Sequence, residues 1–149
     1  TEAGTAFSGA IRSAVAMGIL LSEGIGDTIR VSLTDDPVQE VRAGFEILKS
    51  IGLREYGPTV ISCPTCGRTK IDVIRIAQEV EKRVADIKKP IKIAIMGCIV
   101  NGPGEARSAD IGIAGGKGRG ILFKKGEKIC TVAEDKLIDV LIDEIKKLI

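Results

Sequence analysis

Two short strand-like segments, 59–62 and Ile91–Met96, bracket a stretch with helical spacing, and cysteine follows each segment within two residues. Between them Val73, Ala77, Val80, Val84 and Ile87 recur on one face of a helix predicted over 71–87. Strand, helix, strand is a βαβ unit. Its two strands are parallel and open on the same edge of the sheet, where open α/β sheets build their sites. Cys63 and Cys66 after the first strand, and Cys98 after the second, therefore converge in space although 32 residues separate Cys66 from Cys98.

The pattern continues on both sides of this unit. Short strands are expected over 110–114, 121–125 and 128–132, with a turn at Lys125-Gly126-Glu127, and Leu137, Val140, Leu141, Ile145 and Leu148 mark a closing helix. Upstream, an Ala-rich helix is expected over 6–21, with Ile11, Val15, Gly18 and Ile19 in helical register. A strand is expected over 28–33, because the residues alternate. Asp36, Pro37 and Gln39 form a capping-box pattern that opens a helix running to about Ser50, and Gly52 ends it. Tyr56-Gly57-Pro58 is the best boundary. It divides an incomplete α/β piece over 1–55 from a cysteine-bearing α/β domain over 56–149. Thr1-Glu2-Ala3-Gly4 has no initiator Met and runs straight into a helix, so the chain reads as a piece of something longer.

Composition narrows the function. Hydrophobic residues make up 44% and charged residues 28%, the profile of a globular protein. A net charge of +2 argues for neither nucleic acid nor an anionic membrane. The apolar stretch 14–21 is too short to span a bilayer, and nothing resembles a signal peptide. The expectation is a cytoplasmic protein. Four cysteines in a reducing compartment favour metal or redox chemistry over disulfides, and the absence of histidine excludes His-ligated metals and His-based triads.

A C-x2-C pair can hold one metal or cluster, but it also fits a zinc knuckle or a redox dithiol. The third cysteine weakens the dithiol reading. A structural zinc site wants four closed ligands, and Cys130 is the one further thiol; its place in an expected strand also fits a buried, inert cysteine. The stretch Gly97-Cys98-Ile99-Val100-Asn101-Gly102-Pro103-Gly104-Glu105 is rich in glycine and proline, so its backbone can pass close to a bound group. Glu105 is either a ligand, harder and more weakly held than thiolate, or an exposed loop residue.

These residues carry a resemblance. Ile61-Ser62-Cys63-Pro64-Thr65-Cys66-Gly67-Arg68-Thr69 and the stretch from Gly97 to Ala106, with Thr1-Glu2-Ala3-Gly4 and Ser22 to Leu33 upstream, resemble the 4-hydroxy-3-methylbut-2-enyl diphosphate synthase family, the four matches falling in the family's order. The likeness covers nearly the whole chain and weakens after Gly126. It implies the end of a TIM barrel followed by a small α/β iron–sulfur domain like part of sulfite and nitrite reductases. It implies reductive opening of 2-C-methyl-D-erythritol 2,4-cyclodiphosphate, with loss of water, in the non-mevalonate isoprenoid pathway. By resemblance Cys63, Cys66, Cys98 and Glu105 hold a [4Fe–4S] cluster. Glu2 matches a proton donor or base, Arg30 and Ser32 match diphosphate contacts, and Asn101 matches a residue facing the substrate. The reductant would be a flavodoxin or ferredoxin. The family's homodimer sets one subunit's cluster domain over the other's barrel. A whole barrel needs ~200 residues, so catalysis by this chain alone is not expected.

Two further patterns are weaker. Lys117, Arg119, Lys124, Lys125 and Lys128 form a basic run, read either as a solvated hairpin or as a docking patch for an acidic redox partner. Gly115-Gly116-Lys117-Gly118-Arg119-Gly120 fits neither phosphate-loop pattern and reads as a flexible turn.

Overall fold

The computed structural model describes residues 3–99, 104 and 106–149. Contacts divide the chain into two compact units, one ending at Tyr56 and one spanning Gly57–Ile149.

The first unit holds two helices, α1 (Ala6–Ser22) and α2 (Pro37–Ser50). Asp36 caps α2 by accepting the Val38 N–H, with Pro37 in the first turn. The expected capping box is not made: Asp36 accepts from the second helical N–H, and its own N–H donates to Asp35 Oδ1 at 2.7 Å. Gly52, at φ +74°, takes the left-handed conformation that follows the end of the helix.

The strand expected over 28–33 is absent. Burial still alternates there, with Val31 buried and Arg30 exposed, but no ladder forms. A strand is defined by its partner, and the described part of this unit contains no second one. Other partners hold the segment. Glu40 accepts the Leu33 N–H at 2.9 Å, and the Thr34 N–H donates to the Gly4 carbonyl at 2.7 Å. Helix α1 comes close at Gly9, where a Cβ would lie 2.7 Å from Leu33 Cδ2. One stripe of α1 is open: Phe7, Ile11, Val15 and Ile19, at four-residue spacing, are all exposed.

The second unit is a five-stranded sheet in the order β1-β2-β3-β4-β5: Pro58–Ser62, Ile91–Met96, Ile111–Gly116, Arg119–Lys124 and Glu127–Ala133. β1, β2 and β3 run parallel, and β4 and β5 continue antiparallel. Helix α3 (Val73–Val84) crosses between β1 and β2. It is shorter than 71–87 because Asp72 caps it, accepting the Arg75 N–H at 3.0 Å. Ile76 joins its buried face although the periodicity did not single it out. Helix α4 (Leu137–Lys146) closes the fold.

One face of the sheet carries the main core: Ile93, Ile95, Ile111, Ile113 and Leu122 pack with Ile76 and Val80 of α3 and with Leu137, Leu141 and Ile145 of α4. Burying each such side chain stabilises by ~2 kcal/mol, so this layer carries most of the unit's stability. The other face is thin. Ala94, Met96, Ala109, Ala114 and Phe123 form a second cluster, joined by Ile61 and Cys63. Gly112 makes it possible, since a Cβ there would lie 2.5 Å from the Phe123 ring and 2.3 Å from the Ala94 carbonyl oxygen. Lys125 and Gly126, at φ +50° and +81°, turn β4 into β5. Among the described residues no helix is long and apolar enough to cross a membrane.

Candidate metal centre

Cys63 lies one residue beyond β1 and Cys98 two residues beyond β2. The register pairs Ser62 with Ile95, and the Cys63 N–H donates to the Ile95 carbonyl at 3.2 Å, extending the ladder by one step. Cys63 thus stands level with Met96 on the neighbouring strand. Its Sγ accepts the Gly97 N–H at 3.1 Å. Cys98 itself is buried, and Cys63 is half-buried against the thin face.

Gly97 is confined. A Cβ would meet Val73 Cγ2 at 2.8 Å and Thr69 Cγ2 at 2.9 Å. No side chain fits, so its amide can approach the Cys63 sulfur closely.

Cys66 is exposed. Its thiol is held below the ordinary value, first by the Arg68 backbone N–H and further by the Thr69 hydroxyl and the Arg68 guanidinium, against an upward push from desolvation. The Cys66 N–H donates to Thr69 Oγ1 at 3.2 Å, and the Thr69 N–H donates to the Cys66 carbonyl at 3.0 Å.

The structure thus brings Cys63 and the Cys98 turn together and sets Cys66 on the same sheet edge. Among the described residues no three Cys, Asp or Glu side chains form a group that could hold a metal ion. Glu105, Asn101 and Glu2 lie outside the described residues. Cys130 does not belong here. It pairs with Leu122 on β5 and packs against the helix-side core. Four strand spacings separate β5 from β1, ~19 Å, and Cys63 packs on the opposite face. The thiols of Cys63, Cys66 and Cys98 are soft donors at one edge, with a backbone amide already directed at one sulfur. That donor set fits an iron–sulfur cluster.

Arg30 and Ser32 lie in the first unit, two apart, Arg30 exposed and Ser32 half-buried, flanking buried Val31. Arg30 lines a groove with Ile29, Val41, Phe45 and the carboxylate-bearing Glu40. These surroundings are mostly apolar.

The basic run divides. Lys117 and Arg119 sit at the β3–β4 turn, on the cysteine edge, whereas Lys124, Lys125 and Lys128 lie at the opposite end of the strands, ~17 Å away. Of the glycine-rich segment only Lys117 and Gly118 form this turn, Gly118 at φ +68°; Gly115, Gly116, Arg119 and Gly120 are paired strand residues, so most of the expected flexible turn is ladder. Thr69 was missed by the sequence reading. Its signal was a hydroxyl three residues after the second cysteine of the C-x2-C pair.

Fold and edge together define a small α/β domain with thiol donors at the carboxyl ends of parallel strands. Residues 59–147 match the model of the GcpE protein C-terminal domain, and residues 1–45 match that of the GcpE TIM-barrel domain. The chain belongs to the GcpE family. It is 60% identical over 149 residues to the 4-hydroxy-3-methylbut-2-en-1-yl diphosphate synthase (flavodoxin) of Geobacter sulfurreducens, covering 100% of this chain. The protein of the same name from Clostridium acetobutylicum is 65% identical over 145 residues, 97% of this chain. The chain spans 42% of the length of each of these relatives.

Proposed function

We propose that this chain is the cluster-holding portion of a 4-hydroxy-3-methylbut-2-en-1-yl diphosphate synthase, acting on 2-C-methyl-D-erythritol 2,4-cyclodiphosphate. One observation carries the reading: Cys63 and Cys98 follow adjacent parallel strands, and the Gly97 N–H already bonds the Cys63 sulfur at 3.1 Å. A bound [4Fe–4S] cluster would supply electrons and a Lewis-acidic iron. Cys63, Cys66 and Cys98 would hold it from one sheet edge, and Glu105 would offer a carboxylate as fourth ligand. Arg30 and Ser32 bind the diphosphate, Asn101 faces the substrate, and Glu2 acts as proton donor or base. A flavodoxin or ferredoxin supplies the electrons, the working form is a homodimer, and the compartment is the cytoplasm. The domains run 1–55, the last part of a barrel, and 56–149, an iron–sulfur domain of the sulfite and nitrite reductase kind.

The first unit, which lacks a sheet among its described residues, favours a second reading for this chain in isolation. It holds the cluster without turning over substrate. Anaerobic reconstitution followed by iron and sulfide assay tests the proposal. Four irons and four sulfides are expected, lost in Cys63→Ser, Cys66→Ser and Cys98→Ser and kept in Cys130→Ser. Bound zinc without iron, or cluster loss in Cys130→Ser alone, would overturn it.

A further inference from the structure

We infer that Thr69 is a positioning residue for the cluster site, its hydroxyl fixing Cys66 and its methyl group bracing the turn that carries Cys98. The inference rests on the cluster reading above. Thr69 Oγ1 accepts the Cys66 N–H at 3.2 Å while the Thr69 N–H donates to the Cys66 carbonyl at 3.0 Å. The C-x2-C turn is therefore closed onto Thr69 from both sides. A hydroxyl has one proton to donate, and Cys66 Sγ lies 4.0 Å away, at the outer reach of a sulfur acceptor.

The other half of the side chain faces the second turn. Thr69 Cγ2 occupies space that a Cβ on Gly97 would enter at 2.9 Å. The next residue completes the strap, since the Lys70 N–H donates to the Gly97 carbonyl at 2.8 Å. Residues 69–70 thus join the Cys66 turn to the Cys98 turn. Hydrogen bonds to ligand sulfurs help set a cluster's reduction potential, because they offset the charge that an added electron brings. Groups behind the ligands also hold them in place.

Substitution separates the two halves. Thr69→Ser keeps the hydroxyl, and Thr69→Val keeps the shape without it. The experiment reconstitutes this chain anaerobically as wild type and both variants, with Thr69→Ala as a second hydroxyl-free variant should the valine form not fold. It measures iron and sulfide content, reduction potential, and the rate of iron release to a chelator. The valine form should assemble a cluster, titrate at a lower potential than wild type, and release iron faster, by on the order of tenfold. The serine form should titrate with wild type. Equal potentials and release rates in the hydroxyl-free and wild-type chains would overturn the inference. So would a serine form that shifts while the valine form stays at wild type, since packing alone would then carry the effect. A wild-type chain that assembles no cluster would overturn the cluster reading itself, and this inference with it.

Discussion

Gly97 donates its backbone N–H to the Cys63 sulfur at 3.1 Å, joining the ends of two parallel strands through a thiol. The contact depends on glycine, because Val73 Cγ2 and Thr69 Cγ2 fill the space a Cβ would need, at 2.8 and 2.9 Å. Gly97→Ala should therefore push the turn outward and cost roughly 1–3 kcal/mol. Thermal unfolding of the metal-free chain measures the cost. Cluster content of the reconstituted variant should fall as well. An alanine variant with wild-type Tm and full iron would show that the turn yields freely.

Protection against hydrogen exchange should differ sharply between the two units. Among the described residues the amides of 28–33 make no strand ladder, and the Leu33 N–H meets Glu40 at 2.9 Å instead. Amides of Ile91–Met96 lie between two parallel neighbours beneath α3. Exchange by mass spectrometry should find the first segment open within seconds and the second protected for hours. Equal protection in a monomer would count against an incomplete barrel segment.

Docking of an acidic reductant should depend on position rather than on total charge. Lys117 and Arg119 share the edge with the cysteines, and Lys124, Lys125 and Lys128 do not. In a full-length enzyme that carries this sequence, reversing Lys117 and Arg119 to Glu should slow reduction by flavodoxin at low salt by about tenfold. The same reversal at Lys124 and Lys125 should leave it near wild type. Stopped-flow reduction at two ionic strengths reads both. An equal loss from the two pairs would remove the edge from consideration.

Glu105 offers the sharpest chemical test. A thiolate holds iron more firmly than a carboxylate does. In a full-length context Glu105→Cys should keep its iron and lose turnover, and Glu105→Ala should shed iron toward a three-iron form. Wild-type turnover in Glu105→Cys would mean that the carboxylate is not a displaceable ligand.

What the sequence conveyed divides along physical lines. Ile91–Met96 was legible to the residue because five of its six residues are apolar, with only Lys92 exposed, and its flanking proline and glycine mark its ends. The start of α3 was misplaced because Ile71 is apolar and buried yet lies before the cap at Asp72. Alternation over 28–33 was real, but a ladder is a property of two segments and only one is at hand. The basic run looked continuous because sequence proximity hides a hairpin, which carries Lys117 and Lys124 to opposite ends of the same strands. At the site, the cysteines were visible from their spacing. Thr69 was not, since its role arises from a contact across two turns.

The mixed sheet also orders its own assembly. β3, β4 and β5 are joined by tight turns and pair with near neighbours in the chain, whereas β1 reaches β2 only after residues 63–90 have been traversed. Closing long loops costs entropy before any contact repays it. The meander should therefore form first and the cysteine-bearing pair last, a hypothesis that pulse-labelling during refolding can test by finding β4 amides protected before those of β1. Early protection of β1 would reverse the order. In a nascent chain the three thiols would then spend the slowest phase of folding apart and open to solvent. Oxygen would have its best chance at them before the cluster does, so the yield of holo-protein should depend more on anaerobic refolding than on the stability of the finished fold.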